Sequence, residues 1–303
     1  MTQALHGLLN VHKPTGFTSM QVVERVRRWS GQRRVGHAGT LDPLASGVLP
    51  IGLGQGTRML EFFDEVTKEY RATIELGTET ATFDAEGPVV AQRDAAHVTL
   101  VQVEQALGQF RGVIHQRPPM YSALKVQGVP LYRLARRGIE VERPEREVVV
   151  HKLDLTDWSF PRFDLLVEVG RGLYLRALAH DLGQALGCGA YLQKLVRVRS
   201  GPFRIEESLP LETLETKLRE EQGQEIICAM DEVVLSWPAL LLNSAQMRAL
   251  RKGQPLYLAL DTPQGTRCRA YGLEGELLAL LRYESGQGWR PFKSFAALNE
   301  SAV

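Results

Sequence analysis

The clearest pattern in the chain is the alternation over Lys68–Leu76, where Tyr70, Ala72, Ile74 and Leu76 are apolar and the residues between them polar. A period of two turns one face of a strand to a core. Helical spacing replaces it at Val22, Val23, Val26 and Trp29, with Arg25, Arg27 and Arg28 largely on the opposite face. Thr18 followed by Gln21 reads as a capping box at the start of that helix, and Gly31 as its stop. Gly7 to His12 reads as a short buried strand closed by Lys13-Pro14-Thr15-Gly16, and Val48–Leu53 as a second apolar run leading to a helix near Thr57–Phe63. Further helices are expected at Val98–Phe110 and at Leu175–Leu186, the latter ended by Gly187. Strands are expected near Val148–Asp157 and Phe163–Val169, and another short element at Ala190–Val198. The acidic stretch 206–232 reads as mostly helical, with Pro210 near a start.

Two regions depart from this texture. Residues 116–147 carry many charges and few apolar runs, which predicts an excursion from the core with a helix near Leu131–Arg137. After Ser236-Trp237-Pro238 the chain changes to short strands with glycine turns: Gln254–Leu260, Arg267–Leu273, Leu277–Arg282 and Trp289–Phe292, preceded by a short helix at Ser244–Arg251. The organisation expected is therefore a first domain over 1–235 with an insertion at about 116–147, and a small β-rich unit over 236–303.

Composition adds limits rather than detail. The 303 residues suit about two domains, and 44% hydrophobic with 23% charged residues is ordinary for a globular protein. No run approaches the roughly 18 apolar residues of a membrane span, and the first residues lack the basic start and apolar core of a signal peptide. Cys188, Cys228 and Cys268 form no CxxC pair, so neither a disulfide framework nor a zinc ribbon is indicated. A cytoplasmic location is expected. The net charge of +1 hides an uneven distribution. Residues 1–60 hold seven Lys/Arg against two acids, residues 170–204 six against Asp181, and residues 205–232 nine acids against two bases. Segregation of that kind suits a polyanion such as nucleic acid.

The candidate chemistry centres on the run from Gly36 to Pro50. Asp42 is its single carboxylate, flanked by Gly36, Gly39 and Gly47 and followed directly by Pro43. Pro43 biases Asp42 toward extended backbone. An Asp-Pro pair also starts turns, so Asp42 is either a turn residue or a constrained nucleophile or base. Other signals are weaker. Gly52-Leu53-Gly54-Gln55-Gly56 lacks the spacing of a dinucleotide or phosphate loop and reads as a close-packing segment. Ser122-Ala123-Leu124-Lys125 matches S-x-x-K without its companion motifs. The seven histidines form no H-x-x-x-H pair, so no metal site is expected.

Five segments in order resemble the TruB-type pseudouridine synthases. They are Gly7 to Ser19, Gly36 to Pro50, Lys68-Glu69-Tyr70-Arg71-Ala72, Gln116 to Lys125, and Gly170-Arg171-Gly172-Leu173-Tyr174-Leu175-Arg176. The tail from about Pro238 resembles, more loosely, a PUA-type RNA-binding domain. The resemblance implies an α+β fold, with a curved, mainly antiparallel mixed sheet flanked by helices and a small C-terminal β-barrel-like PUA domain. It implies that Asp42 is the catalytic carboxylate, that Tyr70 stacks on a flipped uracil, and that Arg176 pairs with Asp42, orienting it and lowering its pKa. Lys13, Pro14, His37, Tyr174 and Leu175 are expected to bind substrate or shape the site, and Arg133, Arg136 and Arg137 in the insertion to clamp phosphates. The activity implied is isomerisation of uridine to pseudouridine at position 55 in the TΨC arm of tRNA, without cofactor or metal. The partner expected is tRNA alone, bound by a monomer without membrane or obligatory protein partner. A guide-RNA-dependent synthase and a non-catalytic tRNA-binding or folding protein are the alternatives.

Overall fold

Strand β1 (Gly7–Lys13) opens the structure, a computed structural model that describes residues 4–258 and 262–295. Helix α1 (Ser19–Ser30) follows on the cap read from the sequence: Thr18 Oγ1 accepts from the Gln21 N–H at 3.1 Å, and Gln21 Oε1 accepts from the Thr18 N–H at 2.8 Å. Its Val22, Val23, Val26 and Trp29 face is buried, and Gly31 stops it at φ 65. Strands β2 (Val35–His37) and β3 (Ser46–Leu53) bracket the Asp42 loop. The helix expected near Thr57–Phe63 is a 3₁₀ helix over Gly54–Asp64 instead. It winds tightly against β1, and a Cβ on Gly56 would lie 2.0 Å from the Gly7 carbonyl oxygen.

Strand β4 (Lys68–Leu76) buries the alternate residues its pattern marked. A ribbon of β5 (Thr78–Thr80) and β6 (Val89–Gln92), not foreseen from the sequence, precedes α2 (Leu100–Leu107), which is shorter than expected. Strand β7 (Gly112–Gln116) leads out of the sheet. The excursion holds a hairpin of β8 (Lys125–Val126) and β9 (Val129–Pro130) and the five-residue helix α3 (Leu131–Ala135). The chain rejoins the sheet at the start of β10 (Arg146–Ser159), where Arg146 pairs with Gln116. Strand β11 (Arg162–Val169), helix α4 (Leu175–Ala185), and strands β12 (Ala190–Ser200) and β13 (Phe203–Arg204) complete the large sheet.

That sheet has nine strands with the main order β1-β3-β12-β4-β11-β10-β7. Its pairs are antiparallel except β3 with β12, so it is mixed. Register shifts in β10 and β12 mark bulges that bend the strands. The acidic stretch contains one α-helix, α5 (Leu211–Arg219), and 3₁₀ turns at 205–207, 223–226 and 232–234. It is less regular than expected because its backbone partly serves β1: Leu209 N–H donates to Asn10 O at 2.9 Å, and Cys228 N–H to Leu8 O at 2.8 Å. Those bonds cover an edge that otherwise invites intermolecular pairing.

The C-terminal region forms β14 (Ala239–Leu241), α6 (Ser244–Arg251), β15 (Arg267–Tyr271), β16 (Leu277–Glu284) and β17 (Gly288–Ser294). Its four strands lie in that order in an open sheet, not a closed barrel. The strand expected at Gln254–Leu260 is reduced to a bridge between Leu256 and Trp289, and its last residues lie outside the described residues. This region has a core of its own around Leu242, Leu250, Leu278 and Trp289. A second cluster joins its Leu277, Leu280 and Phe295 to Phe62, Phe63 and Phe203 of the preceding fold. Among the described residues no helix is long and apolar enough to cross a membrane.

Candidate active site

The loop from His37 to Ser46 is held by backbone acceptors rather than by side-chain packing alone. Ser19 Oγ, on the first turn of α1, donates to Leu41 O at 3.1 Å and accepts from the Leu41 N–H at 2.9 Å. The Ala45 N–H donates to Asp42 O at 3.0 Å, closing a turn with Pro43 at its second position. The turn reading of Asp-Pro is thus correct for the backbone, and it leaves the carboxylate free to point elsewhere. Lys13 braces the loop from below. It is wholly buried, and its ammonium donates to the carbonyls of Pro14, Phe17 and Pro43 at 3.0, 2.5 and 3.4 Å. Burial pushes the amine down to about 8, against the pull of Asp42.

The Asp42 side chain, 37% exposed, opens onto a cavity of about 260 Å³ between this loop, β4 and the start of α4. Arg176, on the first turn of α4, meets it in a forked pair, Nε to Oδ2 at 2.9 Å and Nη2 to Oδ1 at 3.3 Å. The same guanidinium lies 3.4 Å from buried Asp84 and donates to Thr82 O at 3.1 Å and Tyr121 O at 2.8 Å. Arg176 therefore ties together the Asp42 loop, the β5–β6 turn and the root of the insertion. The expectation that Arg176 leaves Asp42 with a lowered pKa is corrected here. Withdrawal from water is the largest influence and, with Asp84 nearby, raises the carboxyl above its ordinary 3.8 despite the opposing pull of Arg176 and Lys13.

The structure brings Asp42, Tyr70, Tyr174, Leu175 and Arg176 to the wall of one cavity. Tyr70 comes from β4, 8% exposed, between Val167 of β11 and Arg197 of β12. Tyr174 is fixed through its backbone by Gln116, whose Oε1 accepts from its N–H at 2.8 Å and whose Nε2 donates to its carbonyl at 3.1 Å. Six expected substrate contacts do not line the cavity. Lys13 supports the loop instead, and the Pro14 carbonyl accepts from its ammonium. His37 ends β2 half-buried, its Nδ1 without a hydrogen-bond partner. Burial and the charge of Arg197 push its imidazole below the ordinary 6.5. Arg133, Arg136 and Arg137 are exposed on and after α3, with the Arg136 guanidinium 5.6 Å from the Tyr132 ring.

Sequence reasoning missed Asp84 and gave no role to Lys68, quoted within a motif, or to Arg197, counted among the basic residues. Asp84 sits in a turn whose ribbon is too short to show a period. Lys68 lines the cavity, donates to Phe63 O at 2.8 Å, and is held down to about 8, chiefly by burial. Arg197 is wholly buried and donates from Nε to Val48 O at 2.6 Å and from Nη2 to Gly39 O at 2.9 Å. Gly47 lets that strand close in: a Cβ there would stand 2.2 Å from the Arg197 carbonyl oxygen. Among the described residues no group of three or more His, Cys, Asp or Glu side chains forms a metal-binding set.

Residues 27–175 match the model of the TruB family pseudouridylate synthase N-terminal domain, and residues 176–242 that of the tRNA pseudouridylate synthase B C-terminal domain. A tRNA pseudouridine synthase B from Dehalococcoides mccartyi is 41% identical over 96% of this chain and 97% of its own length. Another, from Syntrophomonas wolfei, is 42% identical over 91% of this chain and 93% of its own. Among solved structures, a chain of a Cbf5-Nop10-Gar1 complex superposes with a TM-score of 0.74 at 27% identity, covering 96% of this chain and 84% of that one. A chain of an H/ACA RNP bound to a substrate RNA containing 2'-deoxyuridine gives 0.73 at 25% identity, covering 96% and 85%. Sequence identity spread over nearly the full length, and a fold shared over the same span, have one reading: this chain belongs to the TruB family of pseudouridylate synthases.

Proposed function

We propose that this enzyme, an isomerase of tRNA uridine to pseudouridine, acts at position 55 in the TΨC arm and uses Asp42 as its reagent. The carrying observation is the forked Asp42–Arg176 pair on the wall of a cavity that Tyr70 also lines. The reaction breaks the N1–C1′ bond, turns the uracil, and joins C5 to C1′, with no atoms gained or lost. Attack at C1′, attack at C6 and removal of the C2′ proton each call for an ionised carboxylate that is regenerated. The target base must leave its stack to reach such a group, and Tyr70 supplies a flat surface for it. Water must also be kept from a detached base, or hydroxide could take its place. Mapping pseudouridine in an unmodified tRNA transcript incubated with the purified chain tests the reading. Modification at position 55 supports it, and modification at another uridine alone overturns the site assignment.

The raised carboxyl gives a pH dependence. Protonation removes the acting form, and because the folded-state pKa lies above the ordinary 3.8, that loss sets in at higher pH than for an unperturbed aspartate. The acid limb of kcat/KM is therefore expected to have its midpoint above 3.8, and a midpoint below that value counts against Asp42 as the titrating group.

Residues 116–147 are read as the RNA-gripping insertion, and 236–303 as a small PUA-like RNA-binding unit on a catalytic domain of 1–235. Arg133, Arg136 and Arg137 of the insertion are exposed, which leaves them free to meet phosphates. Each changed singly to alanine is expected to weaken tRNA binding and flatten its salt dependence by about one unit of log–log slope, with kcat unchanged. Filter binding across a salt series reads both.

The chain is read as a cytoplasmic monomer that needs no guide. The similar Cbf5 chain is found with Nop10 and Gar1, which makes a guide-dependent enzyme the second reading. Turnover by the lone protein on tRNA decides between them.

A further inference from the structure

The turn that carries Asp84 is held on its far side by contacts that take no part in the cavity. Phe83 sits at φ 64, a left-handed conformation that a bulky side chain seldom adopts. Its ring stacks on the His180 imidazole, with centroids 4.0 Å apart and planes at 14°. His180 lies one turn beyond Arg176 on α4, so the two side chains share a face of that helix. Two neighbouring residues of the turn thus meet two neighbouring residues of the helix: Phe83 meets His180, and Asp84 lies 3.4 Å from Arg176. The backbone pins the turn from its other side, with the Leu192 N–H of β12 donating to Phe83 O at 3.0 Å.

Neither Phe83 nor His180 lines the cavity that holds Asp42. Phe83 borders a second space of about 290 Å³ and, with His180, a third of about 500 Å³. The ring therefore has open space on two sides, and among the described residues its aromatic partner is His180. A backbone outlier held beside a carboxylate of the site points to positioning.

We propose that the Phe83–His180 stack is a clamp that sets Asp84 against Arg176, which makes Phe83 and His180 positioning residues for the isomerisation. The proposal rests on reading Asp42 as the reagent and Arg176 as its partner. With the stack removed, Phe83 leaves the left-handed region and Asp84 shifts from the guanidinium. Arg176 then keeps the carbonyls of Thr82 and Tyr121 but loses the carboxylate behind it, and its hold on the orientation of the Asp42 carboxylate loosens.

The test is steady-state kinetics on a tRNA transcript for His180→Ala, Phe83→Ala, the double variant and His180→Phe. Thermal melts set an assay temperature at which every variant is folded. Each alanine variant is expected to lose about 10- to 100-fold in kcat, with KM within about two-fold, because orientation rather than binding is disturbed. His180→Phe keeps a flat ring and is expected to recover to within about three-fold of the unaltered chain. The double variant should lose no more than either single one, since one contact is removed in all three. An unchanged kcat in folded His180→Ala, a loss carried by KM alone, additive losses, or a His180→Phe as slow as His180→Ala each overturn the clamp. Asp42→Asn assayed alongside separates the two levels. Full turnover there removes the underlying reading, whereas an inactive Asp42→Asn beside a normal His180→Ala removes the clamp alone.

Discussion

Asp42→Asn is expected to lower pseudouridine formation by at least about 10³-fold while tRNA binding stays close to that of the unaltered chain, as befits removal of the reacting group itself. Asparagine keeps the size and one acceptor oxygen, so the loop should survive: its fixed points are backbone atoms of Leu41, Asp42 and Pro43, not the carboxylate. What is lost is the negative charge and the second oxygen of the forked pair with Arg176. An amide is neither a nucleophile nor a base at neutral pH. Single-turnover assays with enzyme in excess over tRNA separate chemistry from binding. Turnover near that of the unaltered chain in a folded Asp42→Asn protein would end the assignment.

Arg176→Ala is expected to act on both stability and rate. The side chain is 5% exposed and answers five acceptor groups: two oxygens of Asp42, one of Asp84, and the carbonyls of Thr82 and Tyr121. Removing one partner of a buried charge pair costs about 3–5 kcal/mol, because the remaining charge is stranded. Here two carboxylates would be left without the guanidinium that both meet, and Asp42, already raised, would hold its proton to still higher pH. Arg176→Lys keeps the charge but not the planar fork, and a point charge cannot satisfy acceptors on three separate segments. We expect the lysine variant to fold and still to lose on the order of 10²-fold in kcat, since the carboxylate is no longer held in one orientation. Chemical denaturation and kinetics on the two variants together check this. A lysine variant with unaltered kcat would mean that charge alone, not geometry, is what Asp42 needs.

The two variants also show why part of this site was legible in the residues and part was not. Asp42, Tyr70 and Arg176 lie in segments with strong local character: a glycine-flanked Asp-Pro, a clean alternation, and the start of an amphipathic helix. Their types and order carried the family resemblance. Charge counting was less faithful. Counted by composition alone, Lys13, Arg176 and Arg197 add to a basic face, yet all three are buried and spend their hydrogen bonds on the protein itself. Composition registers charge but not which way a side chain points.

Asp84 shows the limit most plainly. It sits between two strands of three and four residues, too short for any period to emerge, and it reaches Arg176 across 92 positions of chain. The 3₁₀ helix at Gly54–Asp64 departs from helical expectation for a similar reason, since its winding answers to the backbone of β1 packed against it.

What the sequence alone determined was local: the periods of β1, β4, α1 and α4, the capping box at Thr18 and the turn at Asp42, all set by neighbours within a few residues. The tertiary structure decided what distant segments do to each other. It lined one cavity from the Asp42 loop, β4 and α4, and it placed Asp84 behind Arg176. It also raised the Asp42 carboxyl where pairing alone would have lowered it, because the cost of leaving water depends on every wall of the cavity and no single neighbour encodes it.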